Sequence, residues 1–180
     1  MTNLQQLYDS WKNRSRPNVK WKMAGDMPGR LPWLVENFSG LDTITEFGSY
    51  QGCSTAGWLM CKPKKLLAVD WGSYLDVDLY KAAADSAGIK FEFVQSDDLA
   101  IDIDPTDLLF IDTRHTEEHT YLELKKHADK AKRFLAFHDI NPARFATPLG
   151  IKKYLDEYPG VWKQYYKDEI DCGFLVLERI

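Results

Sequence analysis

Four apolar runs of strand length end alike, in Glu46-Phe47-Gly48, Val69-Asp70-Trp71, Ile111-Asp112-Thr113 and His138-Asp139-Ile140. Each run puts a carboxylate at or next to its carboxyl end. A carboxylate withdrawn from water without a partner costs free energy, so several gathered at one edge imply hydroxyls, amines or a cation among them. His115 follows Asp112 by three residues, and His138 precedes Asp139. A divalent cation between Asp112 and Asp139 would acidify a bound hydroxyl, and His115, titrating near neutrality, would take the proton.

The first of these ends continues as Glu46-x-Gly48-x-x-x-Gly52-x-Ser54 and opens a helix pattern. Gly48 permits a tight turn and close approach of backbone to a ligand, and Gly52 lets the helix start pack near a sheet. Asp70 closes the next apolar run about twenty residues on, where an acid accepts hydrogen bonds from ribose hydroxyls. The spacing is not the G-x-G-x-x-G that lays a pyrophosphate on a helix N-terminus. A dinucleotide enzyme such as an NAD-dependent dehydrogenase would need a third glycine where Thr55 stands, and Tyr50-Gln51 would crowd its phosphates. A nucleoside without phosphates fits the loop better.

Short apolar runs alternating with longer amphipathic ones must position these residues, and that alternation predicts a parallel sheet covered by helices. The strand candidates are residues 43–47, 65–70, 91–95, 107–112 and 134–138, followed by a terminal pair at 162–166 and 173–178. Helices are expected over 54–60, over 76–87 with Gly88 stopping it, and after Thr116 as N-cap with Glu117 and Glu118 in the first turn. In this last helix Tyr121, Leu124, Ala128 and Ala131 recur at helical spacing, and His119 and His127 read as surface positions. Thr147-Pro148 reads as an N-cap and first helical residue for a helix to about Tyr158. Near the start, 4–11 and 31–38 have helical patterning, joined by a stretch rich in Pro, Gly and basic residues.

Over roughly residues 40–180 the chain resembles the class I S-adenosylmethionine-dependent methyltransferases. The resemblance implies a Rossmann-like, doubly wound α/β sheet of about seven strands, mostly parallel with an antiparallel C-terminal strand. It divides the chain into an N-terminal helical or lid segment, 1–40, and a cofactor-binding domain, 41–180. It implies that Glu46, Gly48, Ser49, Tyr50, Gly52 and Ser54 border the methionine part of S-adenosylmethionine and that Asp70 holds the ribose. Trp71 would pack on the adenine, Ser96 and Asp97 would flank it, and Asp112 would lie at the same edge.

Phe110-Ile111-Asp112-Thr113-Arg114-His115 with Phe137-His138-Asp139 is similar, more narrowly, to the metal-dependent O-methyltransferases of macrolide sugars and relatives of the cephalosporin-pathway enzymes. There the acid matching Asp112 and an acidic pair matching His138-Asp139 bind magnesium, and the histidine matching His115 is the general base. This chain departs at His138, which replaces an acid. Magnesium prefers oxygen ligands, so the substitution leaves the identity and presence of the divalent cation open. Methyl transfer from a sulfonium needs an aligned nucleophile, and a hydroxyl is a poor one until deprotonated, so O-methylation of a small hydroxylated molecule such as a sugar is the expected reaction.

The 23 Lys and Arg against 27 Asp and Glu give a net charge of -4, which weakly repels nucleic acid and anionic membranes and favours a small-molecule partner. Trp11, Lys12, Arg14, Arg16, Lys20, Trp21 and Lys22 nevertheless mix aromatics with positive charge, as single-strand nucleic-acid binders do. A binding protein of this fold without catalysis, or one directed at nucleic acid, is therefore the competing class. Three cysteines without metal or disulfide spacing, no signal-peptide pattern and no bilayer-length apolar run predict a cytoplasmic protein with reduced thiols. A homo-oligomer is left open.

Overall fold

The computed structural model describes residues 3–13 and 26–180. Arg14, Arg16, Lys20, Trp21 and Lys22 of the basic aromatic stretch lie outside the described residues. The chain divides into two compact units, Met1–Gln95 and Ser96–Ile180. Its strands, in chain order β1 (Thr43–Phe47), β2 (Lys65–Asp70), β3 (Lys90–Gln95), β4 (Thr106–Ile111), β5 (Ala131–His138), β6 (Trp162–Asp168) and β7 (Phe174–Arg179), lie in the order β3-β2-β1-β4-β5-β7-β6 in a seven-stranded sheet, with β7 antiparallel to both β5 and β6, as the α/β reading expected. No helix among the described residues is long and apolar enough to cross a membrane.

The first unit opens with α1 (Leu4–Lys12), started by a reciprocal capping box between Asn3 and Gln6, which satisfies two backbone donors at the helix start. Its buried face is Leu4, Leu7, Tyr8 and Trp11. Helix α2 (Met27–Phe38) begins four residues before the expected Leu31, because Pro28, at the helix start, has its φ preset for a first turn. An Arg30–Asp26 ion pair of 2.6 Å braces that turn. Three strands follow: β1 (Thr43–Phe47), β2 (Lys65–Asp70) and β3 (Lys90–Gln95), parallel, with β2 in the middle. β1 and β2 are almost wholly buried, as continuous apolar runs in a covered parallel sheet should be.

Helix α3 (Cys53–Met60) leaves β1 and is buried over most of its length. Gly57 lets it approach α2, since a Cβ there would stand 2.8 Å from Leu31. Helix α4 (Val77–Ser86) is capped by Asp76, whose side chain accepts from the Leu79 amide at 3.1 Å, and ends before Gly88 at positive φ.

The second unit carries β4 (Thr106–Ile111), α5 (Glu117–His127), β5 (Ala131–His138), α6 (Thr147–Glu157), β6 (Trp162–Asp168) and β7 (Phe174–Arg179). β4 and β5 are parallel, β7 returns antiparallel to β5, and β6 pairs with β7 through a register shift between Gln164 and Tyr166. Asp112 falls one residue beyond β4. Thr116 caps α5 as expected, its hydroxyl accepting from the His119 amide at 3.3 Å.

Helix α5 departs from the sequence reading in two ways. It ends at His127 in a single 3-10 turn, and Ala131 starts β5, paired with Thr106, instead of extending the helix. Its buried face is His119, Thr120, Glu123, Leu124 and His127, so the two histidines are interior residues. Helix α6 is capped by Ala146 with Thr147 as its first residue, one position earlier than the sequence suggested.

Candidate functional site

In the first unit the carboxyl ends of β1 and β2 place Glu46, the 48–52 loop and Asp70. The loop is built from unusual backbone: Gly48 and Gly52 sit at φ 86° and 95°, and Tyr50 at 43°. Left-handed conformations in non-glycine residues cost energy and cluster where function over-determines the backbone. Gly48 N donates to Val69 O at 2.9 Å, and Gly52 N to Ser49 O at 2.8 Å, so the turn is tied to β2 and to itself.

Asp70 organises this region. One carboxylate oxygen accepts from the Tyr50 amide at 2.7 Å and the other from the Gly72 amide at 2.9 Å. The acid therefore links the glycine loop to the chain leaving β2, and each oxygen keeps a lone pair for a further donor. Glu46 is fully buried and accepts from the Thr55 hydroxyl at 2.6 Å. Thr55, seen in the sequence only as a missing glycine, thus orients the strand-end acid. Ser49 and Ser54 are buried as well.

Trp71 is 70% exposed and stands at the edge of an aromatic group, 6.2 Å from Tyr74, which is in turn 5.3 Å from Tyr50. Beneath the loop, Tyr80 contacts the carbonyl of Gly52, a residue the sequence did not single out because its partners are 28 and 69 positions away.

In the second unit the ends of β4 and β5 bring together Asp112, His115, His138 and Asp139. His115 Nε2 lies 3.0 Å from Asp112 Oδ1 and 2.8 Å from Asp139 Oδ2. His138 Nδ1 lies 3.3 Å from Asp112 Oδ2 and 3.5 Å from Asp139 Oδ1. His115 and Asp139 both adopt positive φ, 43° and 55°. Phe145 packs edge-on against the His115 ring at 5.2 Å.

Charge follows from this geometry. Burial opposes ionisation of Asp112, yet His138 and His115 overcome it and hold the carboxyl well below the usual range. Burial likewise opposes protonation of His115, but hydrogen bonds to Asp112 and Asp139 raise its pKa to about 9. In the absence of a cation His115 therefore carries a proton at neutral pH.

Ser96 and Asp97 lie on the loop after β3. Asp97 is exposed and turns that loop, accepting from the Leu99 amide at 2.9 Å, while its neighbour Asp98 is the buried acid.

One imidazole and two carboxylates, from His138, Asp112 and Asp139, offer donor atoms within 4.8 Å of one another. Asp139 Oδ1 is buried and makes no hydrogen bond among the described residues. This mixed nitrogen and oxygen set suits zinc or manganese better than magnesium, which favours oxygen alone.

Neither a protein-family model nor a curated protein sequence matches the chain. Solved structures do. Magnesium protoporphyrin IX methyltransferase from Synechocystis PCC 6803, with bound S-adenosylmethionine, is 14% identical, with a TM-score of 0.67 over 98% of this chain and 92% of that one. An O-methyltransferase from Bacillus cereus in complex with S-adenosylhomocysteine is 13% identical, with a TM-score of 0.64 over 98% and 90%. An N-methyltransferase from Bradyrhizobium japonicum WM9, also with S-adenosylhomocysteine, is 10% identical, with a TM-score of 0.64 over 99% of both chains. The chain therefore has the Rossmann-like fold of these S-adenosylmethionine-dependent methyltransferases.

Proposed function

We propose that the protein is an S-adenosylmethionine-dependent methyltransferase that methylates a hydroxyl of a small molecule such as a sugar or sugar-bearing metabolite. The observation that carries this reading is the double use of Asp70, whose oxygens fix the Tyr50 and Gly72 amides. A nucleoside ribose needs such an acid, held rigid beside a glycine-rich turn. The 48–52 loop would take the methionine part, and Trp71, exposed and adjoining Asp70, would lie on the adenine. Ser96, Asp97 and Asp112 are the further residues that the family resemblance would assign to the cofactor.

Asp112, His138 and Asp139 would hold a divalent cation. Such a cation lowers the pKa of a coordinated hydroxyl. His115 is the proposed general base. With both carboxylates bonded to it, its raised pKa keeps it protonated, so it accepts a proton only when Asp112 and Asp139 are engaged elsewhere, as cation ligands would be. General-base action is worth roughly 10²- to 10⁴-fold. The same raised pKa favours a second reading, a cation-free enzyme in which the His115 imidazolium positions the acceptor and the acceptor is itself a competent nucleophile, such as an amine.

Calorimetry with S-adenosylhomocysteine tests the cofactor assignment: the intact protein binds it and Asp70→Ala abolishes binding. No measurable binding by the intact protein would overturn the proposal. Methyl transfer to a hydroxylated acceptor that is stopped by a chelator and restored by manganese supports the first reading over the second.

A further inference from the structure

We propose that Asp98, His119 and Glu123 form a second divalent-cation site, of the zinc class, that ties the loop after β3 to α5. It is separate from the Asp112–His138–Asp139 set and does not depend on the proposed reaction. The three residues are buried and offer donor atoms within 4.8 Å of one another. His119 Nε2 stands 3.0 Å from Asp98 Oδ2 and 3.7 Å from Glu123 Oε1. Donors bound tetrahedrally at about 2.0–2.1 Å stand about 3.3 Å apart, and the two observed separations bracket that edge.

Glu123 supplies the independent sign of a ligand. It is fully buried, and its Oε2 has no hydrogen-bond partner among the described residues. A buried carboxylate oxygen without a donor is costly, and a cation removes that cost. Burial and the Asp98 carboxylate beside it push the Glu123 carboxyl well above its usual range; a divalent ion opposes that rise and would cancel the minus two of the two ionised carboxylates it binds.

The surrounding bonds resemble the outer support of a coordination site. The Thr113 hydroxyl donates to Glu123 Oε1 at 2.8 Å and fixes the carboxylate's direction. His127 Nε2 lies 2.8 Å from the Asp98 carbonyl, and Lys126 Nζ donates to the Leu99 carbonyl at 2.8 Å, so the loop bearing Asp98 is held against the last turn of α5. A histidine and a glutamate one turn apart on α5, with an aspartate from the facing loop, give a three-donor set of the residue types that zinc binds.

The test uses the full chain carrying Asp112→Asn, His138→Gln and Asp139→Asn, which disables the other candidate donor sets among the described residues, all of which include His138. After chelator treatment, zinc is added, excess is removed by gel filtration, and bound metal is counted. Cobalt(II) replaces zinc for absorption spectroscopy. One retained zinc per chain, a tetrahedral cobalt spectrum and a zinc-dependent rise in melting temperature are expected. Adding Glu123→Gln or His119→Gln removes all three, and adding Thr113→Val weakens affinity about 10- to 100-fold. Absence of retained zinc and of the cobalt bands in the parent variant overturns the proposal, as does full retention after Glu123→Gln. If the glutamine variants do not fold, the parent spectrum and the Thr113→Val affinity decide it.

Discussion

The phenolic hydroxyl of Tyr80 donates to the carbonyl oxygen of Gly52 at 2.8 Å and accepts from the indole N–H of Trp11 at 2.6 Å. One hydroxyl thus joins α1, α4 and the start of α3 directly under the turn that carries Tyr50. A Cβ on Gly52 would overlap the Tyr80 ring and Leu75, and the φ of 95° would strain any side chain there.

Gly52→Ala should therefore cost about 2 to 4 kcal/mol, from the left-handed backbone and the overpacking together. Urea denaturation measures this directly. An unchanged midpoint would show that the loop reshapes freely and that Tyr80 does not define it.

Thr55→Val keeps the shape of the side chain and deletes the 2.6 Å bond to fully buried Glu46. The expected loss is about 1 to 3 kcal/mol of stability. The hydroxyl's value is read by comparing Thr55→Ser, which restores the donor, and equal destabilisation by both variants would count against the bond.

These two positions show what the sequence makes legible. Strand ends could be placed because β1, β2, β4 and β5 are buried on both faces, so their apolar runs are nearly uninterrupted and their terminal acids stand out. Asp112, His115, His138 and Asp139 were readable for that reason, and the structure brings them together. Helix α5 was not, since apolar periodicity marks only one kind of buried face. Besides Leu124, its interior positions are His119, Thr120, Glu123 and His127, which water would also welcome. Asp97 and Asp98 are chemically identical neighbours, separated only by which one turns the loop and which one His119 meets. Tyr80 became visible only through its contact with Trp11, across 69 residues of sequence.

The pH dependence of stability in chelator-treated protein should expose His115. Its folded pKa, about 9, lies above the roughly 6.5 of an unfolded histidine, so the folded state binds its proton more tightly. The stabilisation is fully present below pH of about 6.5 and declines as pH rises, disappearing through about 9. Denaturant midpoints between these limits should fall for the wild type and stay flatter for His115→Gln. Parallel curves would remove His115 as the titrating group.

Cysteine reactivity should sort by burial. Burial pushes the Cys61 thiol up to about 12, while a backbone hydrogen bond at that residue draws it slightly down, and its sulfur lies 3.3 Å from Gly57 O. Only thiolate alkylates readily. Iodoacetamide at neutral pH should label half-buried Cys53 first and Cys61 only after unfolding, as peptide mass mapping will show. Early Cys61 labelling would mean that α3 opens locally.

The register shift in β6 bears on how the molecule meets others of its kind. β6 ends the strand order and leaves one row of amides and carbonyls unclaimed by a neighbouring strand, the template on which chains stack into aggregates. Its sequence Trp162-Lys163-Gln164-Tyr165-Tyr166-Lys167-Asp168 sets two lysines beside that row, and the irregularity between Gln164 and Tyr166 bends it. A second β6 arriving in antiparallel register would meet both a broken ladder and like charges. Charge and an irregular ladder thus discourage a further strand from adding at this border, a safeguard carried by the seven residues of β6 themselves.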